Sequence, residues 1–131
     1  MNTLQQQFAS SVYTQVQAYA EKNNKKDREK YGAMALRLPI LVRTSGLVQA
    51  LAFLEMKASG DPGEPPYKAL LKDLSTVVMD EENASFLEAS RTEDLQNYIY
   101  LTRRTLMAFD WFRRFAQSVL KVKTTDSVED N

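Results

Sequence analysis

Apolar residues recur at helical spacing along nearly the whole chain. Leu4, Phe8, Val12, Val16 and Tyr19 fall three or four residues apart, which predicts an amphipathic helix over 2–22. "NNKK", residues 23–26, breaks it. A second helix is predicted from near Asp27, with Tyr31, Met34, Ala35, Leu38 and Val42 on its apolar side. Pro39 lies inside that run. It has no amide hydrogen to donate and its ring crowds the preceding turn, so a kink is expected there. Thr44-Ser45-Gly46 then supplies stop chemistry, with Gly46 free to take a positive φ. The alternative is one bent helix continuing through Gly46. "LVQALAFLEMKA" extends helical character to about Ala58.

"SGDPGEPP", residues 59–66, reads as the clearest loop because it is built almost entirely from glycine, proline and acidic residues. Tyr67 to Met79 predicts a further helix through Tyr67, Leu70, Leu71, Leu74, Val77 and Val78. Its valine pair would allow a strand, but no partner strand is offered. Residues 80–90 read as an acidic connector holding a short turn around Phe86 and Leu87. Thr92 is the expected N-cap of the longest helix, which runs to about Lys121 with Glu93 and Asp94 at its positive end. Ile99, Thr102, Leu106, Phe109, Phe112, Ala116 and Val119 are its expected apolar stripe. The expected fold is all-α, a single compact bundle of five to six helices with a long C-terminal helix, spanning residues 1–123. Residues 124–131 are expected to form a polar, frayed tail.

Composition narrows the chemistry. A chain of 131 residues suits one domain, and 44% hydrophobic with 26% charged residues is ordinary for a globular protein. There is no cysteine, hence no disulfide framework or thiolate metal site. There is also no histidine, which removes the usual neutral-pH switch and a common zinc ligand. Catalysis would fall to carboxylates, lysine, tyrosine or hydroxyls, or to a carboxylate-bound magnesium. Asp80, Glu81 and Glu82 offer the one candidate magnesium cluster, but adjacent carboxylates point in different directions, and a solvated acidic loop is the favoured reading. Ser10, Ser11 and Ser45 have no histidine to activate them, and no glycine-rich phosphate loop is present. The N-terminus lacks signal-peptide character and no stretch approaches ~18 consecutive apolar residues. A cytoplasmic protein with no cofactor, no metal and no membrane association is expected.

Charge is balanced, at 17 basic and 17 acidic residues, so no global signature for nucleic acid exists. Its distribution is uneven. Lys22, Lys25, Lys26, Arg28, Lys30, Arg37 and Arg43 crowd one segment, and Arg103, Arg104, Arg113, Arg114, Lys121 and Lys123 another. Lys26, Lys30 and Arg37 line up at helical spacing. Were that row to pack beside the arginines of the last helix, the groove would suit a phosphate backbone, binding without base preference and with steep salt dependence. On the last helix Asp110 is placed to pair with Arg114 at the surface. Tyr31, Tyr98, Tyr100 and Trp111 are candidates for stacking on bases, although packing is the commoner fate of such rings.

Two sets of motifs then combine. Tyr31-Gly32, Leu38-Pro39, Gly46-Leu47 and Phe53-Leu54 occur in order, and "WFRRFA", Trp111 to Ala116, follows near the C-terminus. In this pairing the chain resembles, over roughly residues 5–120, the small-subunit family of the type III-B CRISPR effector (the Cmr complex). The resemblance implies an all-helical, non-catalytic subunit. Members of that family stack head to tail into a short filament beside the guide-RNA-bound backbone subunits and help to hold target RNA along the guide. The implied partners are guide RNA, single-stranded target RNA, other CRISPR effector subunits and copies of the chain itself. By motif position the resemblance assigns RNA contact to Arg113 and Arg114. Arg37 and Arg43 flank the Leu-Pro element, and Lys26 and Lys30 join the candidate set through helical spacing alone. The alternatives are the small subunit of type III-A complexes and a helical adaptor with no nucleic-acid role.

Overall fold

The structure, a computed structural model, describes residues 2–60, 64–79 and 83–123. Helix α1, Leu4–Lys22, opens on a reciprocal cap. Thr3 Oγ1 accepts from the Gln6 amide at 3.1 Å, while the Thr3 amide donates to Gln6 Oε1 at 2.8 Å. Helix α2, Lys25–Ser45, begins earlier than its apolar pattern indicates. Asn24 is the reason: its side chain accepts from the Asp27 amide at 2.8 Å, so Lys25 and Lys26 lie within the first turn. The helix runs on through Pro39, whose ring is buried.

Gly46 alone separates α2 from α3, Leu47–Ser59. Its amide donates to Val42 O at 2.9 Å and its carbonyl accepts from the Ala50 amide at 3.1 Å, so one residue ends the first helix and starts the second. That double duty requires φ 90° and ψ 161°, a backbone region essentially restricted to glycine. Gly46→Ala is therefore expected to lower stability by about 1.5 kcal/mol, read by urea unfolding at unchanged m-value. A loss below about 0.5 kcal/mol, the scale of an ordinary surface substitution, would show that the joint can relax.

Helix α4 spans Pro65–Met79 and takes in both prolines that were expected to close the loop. Proline is well placed in a first turn, where no intrahelical amide bond is made. Residues 61–63 and 80–82 lie outside the described residues, and with the latter goes the candidate magnesium cluster. Helix α5, Asn83–Thr92, replaces the expected connector and short turn. Burial of Phe86, Leu87, Ala89 and Ser90 against α3 and α4 stabilises a ten-residue helix that would be marginal alone. Helix α6, Leu95–Ser118, is capped by Asp94, whose side chain accepts from the Asn97 amide at 2.9 Å. Thr92 is not the cap. It closes α5, its hydroxyl donating to Glu88 O at 2.9 Å.

The six described helices form one bundle around α6, which packs on α1, α2 and α4. Helices α2 and α6 run antiparallel, with Gly32 beside Leu120 and Val122, and Arg43 beside Asp110. The buried face of α6 is Leu101, Thr105, Ala108, Phe109, Phe112 and Ala116. The expected stripe is thus corrected in its N-terminal half: Ile99 is 41% exposed and Leu101 takes the inward position. The first turns of α6 meet α4 and α5.

The end of α6 also departs from expectation. After Ser118 the chain turns back, with Lys121 at φ 63°. The Leu120 amide donates to Phe115 O at 3.2 Å and the Val122 amide to Ala116 O at 3.0 Å. Val122 is buried against Gly32. The tail, 124–131, lies outside the described residues.

One polar cluster ties α1, α2 and α4 together. Tyr31 is fully buried, stacks on Tyr19 at 4.2 Å between ring centroids, and donates its hydroxyl to Asp73 Oδ2 at 2.6 Å. Burial pushes the Asp73 carboxyl up to about 6, against the opposing pull of the Tyr31 hydrogen bond and the Lys72 charge.

Candidate nucleic-acid interface

Of the six candidate cations, Lys26, Lys30, Arg37 and Arg43 lie on two edges of α2, and Arg113 and Arg114 lie on α6. Lys30 and Arg37 face α3 and the start of α4. The Lys30 ammonium meets Glu64 Oε1 at 2.7 Å, and that hydrogen bond raises its pKa. The Arg37 guanidinium lies 4.9 Å from the centre of the Phe53 ring, which Lys57 also approaches at 5.8 Å. Lys26 is exposed one turn before Lys30 on the same face. Arg43, six residues beyond Arg37, is rotated by about 120° around the helix. It points to α6, where its Nη2 is 3.9 Å from Asp110 Oδ1.

The row Lys26, Lys30, Arg37 therefore does not pack beside the arginines of α6. Arg43 does. Arg113 and Arg114 are both exposed, three and four residues past Asp110. Helical spacing puts Arg113 and Arg114 within about one turn of the Asp110 that Arg43 contacts, so three cations stand near one carboxylate. Both partners of the Arg43–Asp110 contact are about half exposed, at 55% and 46%, so the pair is weak and leaves the cluster net positive. Asp110 reaches across to α2, and Arg114 lies over the Trp111 ring at 5.6 Å.

The candidate stacking rings separate just as clearly. Tyr31 is inaccessible. The Tyr98 hydroxyl accepts from the Val48 amide at 3.2 Å beside the Gly46 joint. Tyr100 is 60% exposed. Trp111 is half-buried, donates Nε1–H to Gln5 Oε1 at 2.8 Å and stacks on Phe115.

Arg104 is structural. Its Nε and Nη2 donate to Val78 O at 3.3 and 3.0 Å, satisfying a carbonyl in the last turn of α4. Its guanidinium also lies 5.0 Å from the Phe8 ring and 5.7 Å from Tyr100. Nothing in the local sequence distinguishes it from Arg103, because the carbonyl it serves is 26 residues away.

Among the described residues no group of three or more acidic side chains is placed to hold a metal ion. No helix among them is long and apolar enough to cross a membrane. Fold and surface together define a small all-α bundle that carries exposed cations and aromatic rings beside a balancing number of acidic side chains. Residues 4–119 match the family described as CRISPR-associated protein (Cas_Cmr5). The chain belongs to that family, the small-subunit family of the type III-B Cmr system.

A curated relative from Thermus thermophilus, "CRISPR system Cmr subunit Cmr5", is 39% identical over 121 residues, covering 92% of this chain and 99% of that one. The X-ray crystal structure of a CRISPR-associated Cmr5 family protein, also from Thermus thermophilus, superposes with a TM-score of 0.80 at 40% identity, over 91% of this chain and 98% of that one.

Proposed function

We propose that this chain is the non-catalytic small subunit of a cytoplasmic type III-B CRISPR effector complex, where it helps to hold single-stranded target RNA along the guide RNA. The observation that carries the RNA contact is that Arg43 reaches α6 at Asp110, within about one helical turn of the exposed Arg113 and Arg114. Cations in such an arrangement attract phosphates without reading sequence, which suits a subunit beside a guide that supplies the sequence. Lys26, Lys30 and Arg37 form a second basic edge on the α3–α4 side, directed towards RNA or a neighbouring subunit. Head-to-tail stacking of copies is part of the same reading. It is supported by exposed apolar side chains at one end of the bundle, where Val48, Leu95 and Ile99 are 38%, 74% and 41% accessible.

The test is charge reversal within the complex assembled from this chain and the subunits encoded beside it. Arg43→Glu, Arg113→Glu and Arg114→Glu together are expected to weaken target-RNA capture by about tenfold or more. The slope of log K against log salt should fall by about 2, at ~0.7 per single-strand phosphate contact, with assembly unchanged. Capture at wild-type strength and slope would remove this face from the RNA path and favour an adaptor without nucleic-acid contact.

A further inference from the structure

The end of α1, the first turns of α2 and the end of α6 enclose an open cleft of about 630 Å³, within the size range of small-ligand sites, ~300–1,000 Å³. None of its residues is among the six candidate cations. One wall is aromatic. Tyr13 is 46% exposed, and its ring meets Phe115 edge-on at 5.3 Å and 77°. Phe115 in turn stacks on Trp111 at 5.8 Å. A run of rings thus leads along the α1–α6 seam from Arg114, over Trp111, to the cleft.

The other wall is charged, and its charges are unequally committed. Glu21 accepts a hydrogen bond from Gln17 Nε2 at 3.2 Å, and Glu29 has Lys25 at 3.9 Å. Glu29 is paired with a cation, whereas the neutral Gln17 leaves Glu21 its charge; Lys25, Arg28 and Lys121 against Glu21 and Glu29 make the wall positive by one. Arg28 donates one Nη1–H to Asn23 O at 2.7 Å, which fixes its guanidinium while leaving its other donors. Lys121 is exposed, has no ion pair among the described residues, and is held at the rim by its left-handed backbone and the buried Val122 after it. An oriented ring and two cations lining one cleft match the pattern of single-stranded nucleic-acid sites, where stacking accepts any base and the cations take the backbone.

We propose that this cleft is a second RNA contact, taking a nucleotide of single-stranded RNA with its base on Tyr13 and its phosphates between Arg28 and Lys121. The inference rests on the RNA-holding role above but uses different residues.

The test is a ¹H–¹⁵N NMR titration of the full chain, 15.0 kDa, with a five-nucleotide oligoadenylate. The largest shifts are expected at Tyr13, Gln17, Arg28 and Lys121. Tyr13→Ala should weaken binding by about fivefold or more, as the loss of one stacked base does, and Tyr13→Phe should restore it. Lys121→Glu should lower the salt slope by ~0.7 or more. Thermal midpoints should stay within about 2 °C of wild type in all three, which separates binding from folding.

Shifts confined to the Arg43 and Arg113 face would overturn the cleft while leaving the proposed function standing. No shifts at millimolar oligonucleotide would also overturn it, and the capture assay on the complex would judge the function separately. Tighter binding of hexaglutamate than of RNA at the same residues would make the cleft a dock for an acidic protein segment and overturn the RNA assignment.

Discussion

Gly32→Ala is expected to lower stability by about 2–3 kcal/mol, the upper range for forcing extra volume into a packed core. A Cβ at Gly32 would fall 2.4 Å from Val122 Cγ2, 3.2 Å from its Cβ and 3.4 Å from Leu120 Cδ1. Val122 cannot retreat easily. Val122 is β-branched, with one strongly preferred rotamer, and its amide is tied to Ala116 O. The segment after α6 would have to lift off α2, releasing Val122 from the core and Lys121 from its left-handed turn. Urea unfolding of Gly32→Ala, Val122→Ala and the double variant measures this directly. A coupling of about 1 kcal/mol or more is expected, with the double variant more stable than the sum of the single losses predicts. Additive losses would mean that the backbone moves instead and that the contact is not the cause.

Asp73→Asn is expected to stabilise the protein near neutral pH, by on the order of 2–3 kcal/mol. The folded carboxyl titrates at about 6 against an ordinary value of 3.8, because burial disfavours its charged form. The folded state holds that proton more tightly than the unfolded chain does. The resulting contribution to stability is complete below pH ~3.8 and is lost as pH rises through about 6. The groups facing Asp73 do not reverse this. Tyr31 stays protonated, its pKa raised by burial and by Asp73 itself, and Lys72 offsets only part of the burial. Asparagine keeps an acceptor for the Tyr31 hydroxyl and carries no charge. Stability should therefore fall between about pH 4 and about pH 7 in the wild type and flatten in Asp73→Asn, with the two curves meeting near about pH 4. Parallel curves would show that the carboxylate remains solvated in the folded state.

Much of the bundle was legible because its helices are amphipathic in isolation. Phe8, Val12 and Val16 in α1, and Tyr31, Met34, Leu38 and Val42 in α2, are buried as their spacing requires. Gly46 was legible for a different reason, since few residues can end a helix with a positive φ. Helix α5 was not. Around Phe86 and Leu87 it offers only small and polar residues, which look like connector until α3 and α4 cover the buried side. The α6 cap was ambiguous because Thr92, Glu93 and Asp94 all favour a helix start; the choice fell to Asp94 once Thr92 was held within α5.

The candidate site was legible in part. Charge density located the cations on α2 and α6, and the "WFRRFA" motif singled out Arg113 and Arg114. Which cations share a face depends on how the two helices are rotated against each other, and one-dimensional spacing does not contain that. Arg37 and Arg43 look equivalent beside the Leu-Pro element, yet they address opposite edges. Tyr13 escaped notice because it lies on the polar side of α1, where an exposed ring differs from its neighbours only in the company α6 brings.

The joint at Gly46 also makes the chain a ruler of fixed length. With no linker between α2 and α3, an extra residue in either helix beside the joint has no slack to absorb it. The helix beyond would turn by about 100° per inserted residue. Leu47, Ala50, Leu51 and Leu54 would swing out of the core together, and Arg37 would lose its place against Phe53. Growth of the chain is thus barred at the α2–α3 corner, and the seat of Arg37 on Phe53 across that corner is held by a single glycine.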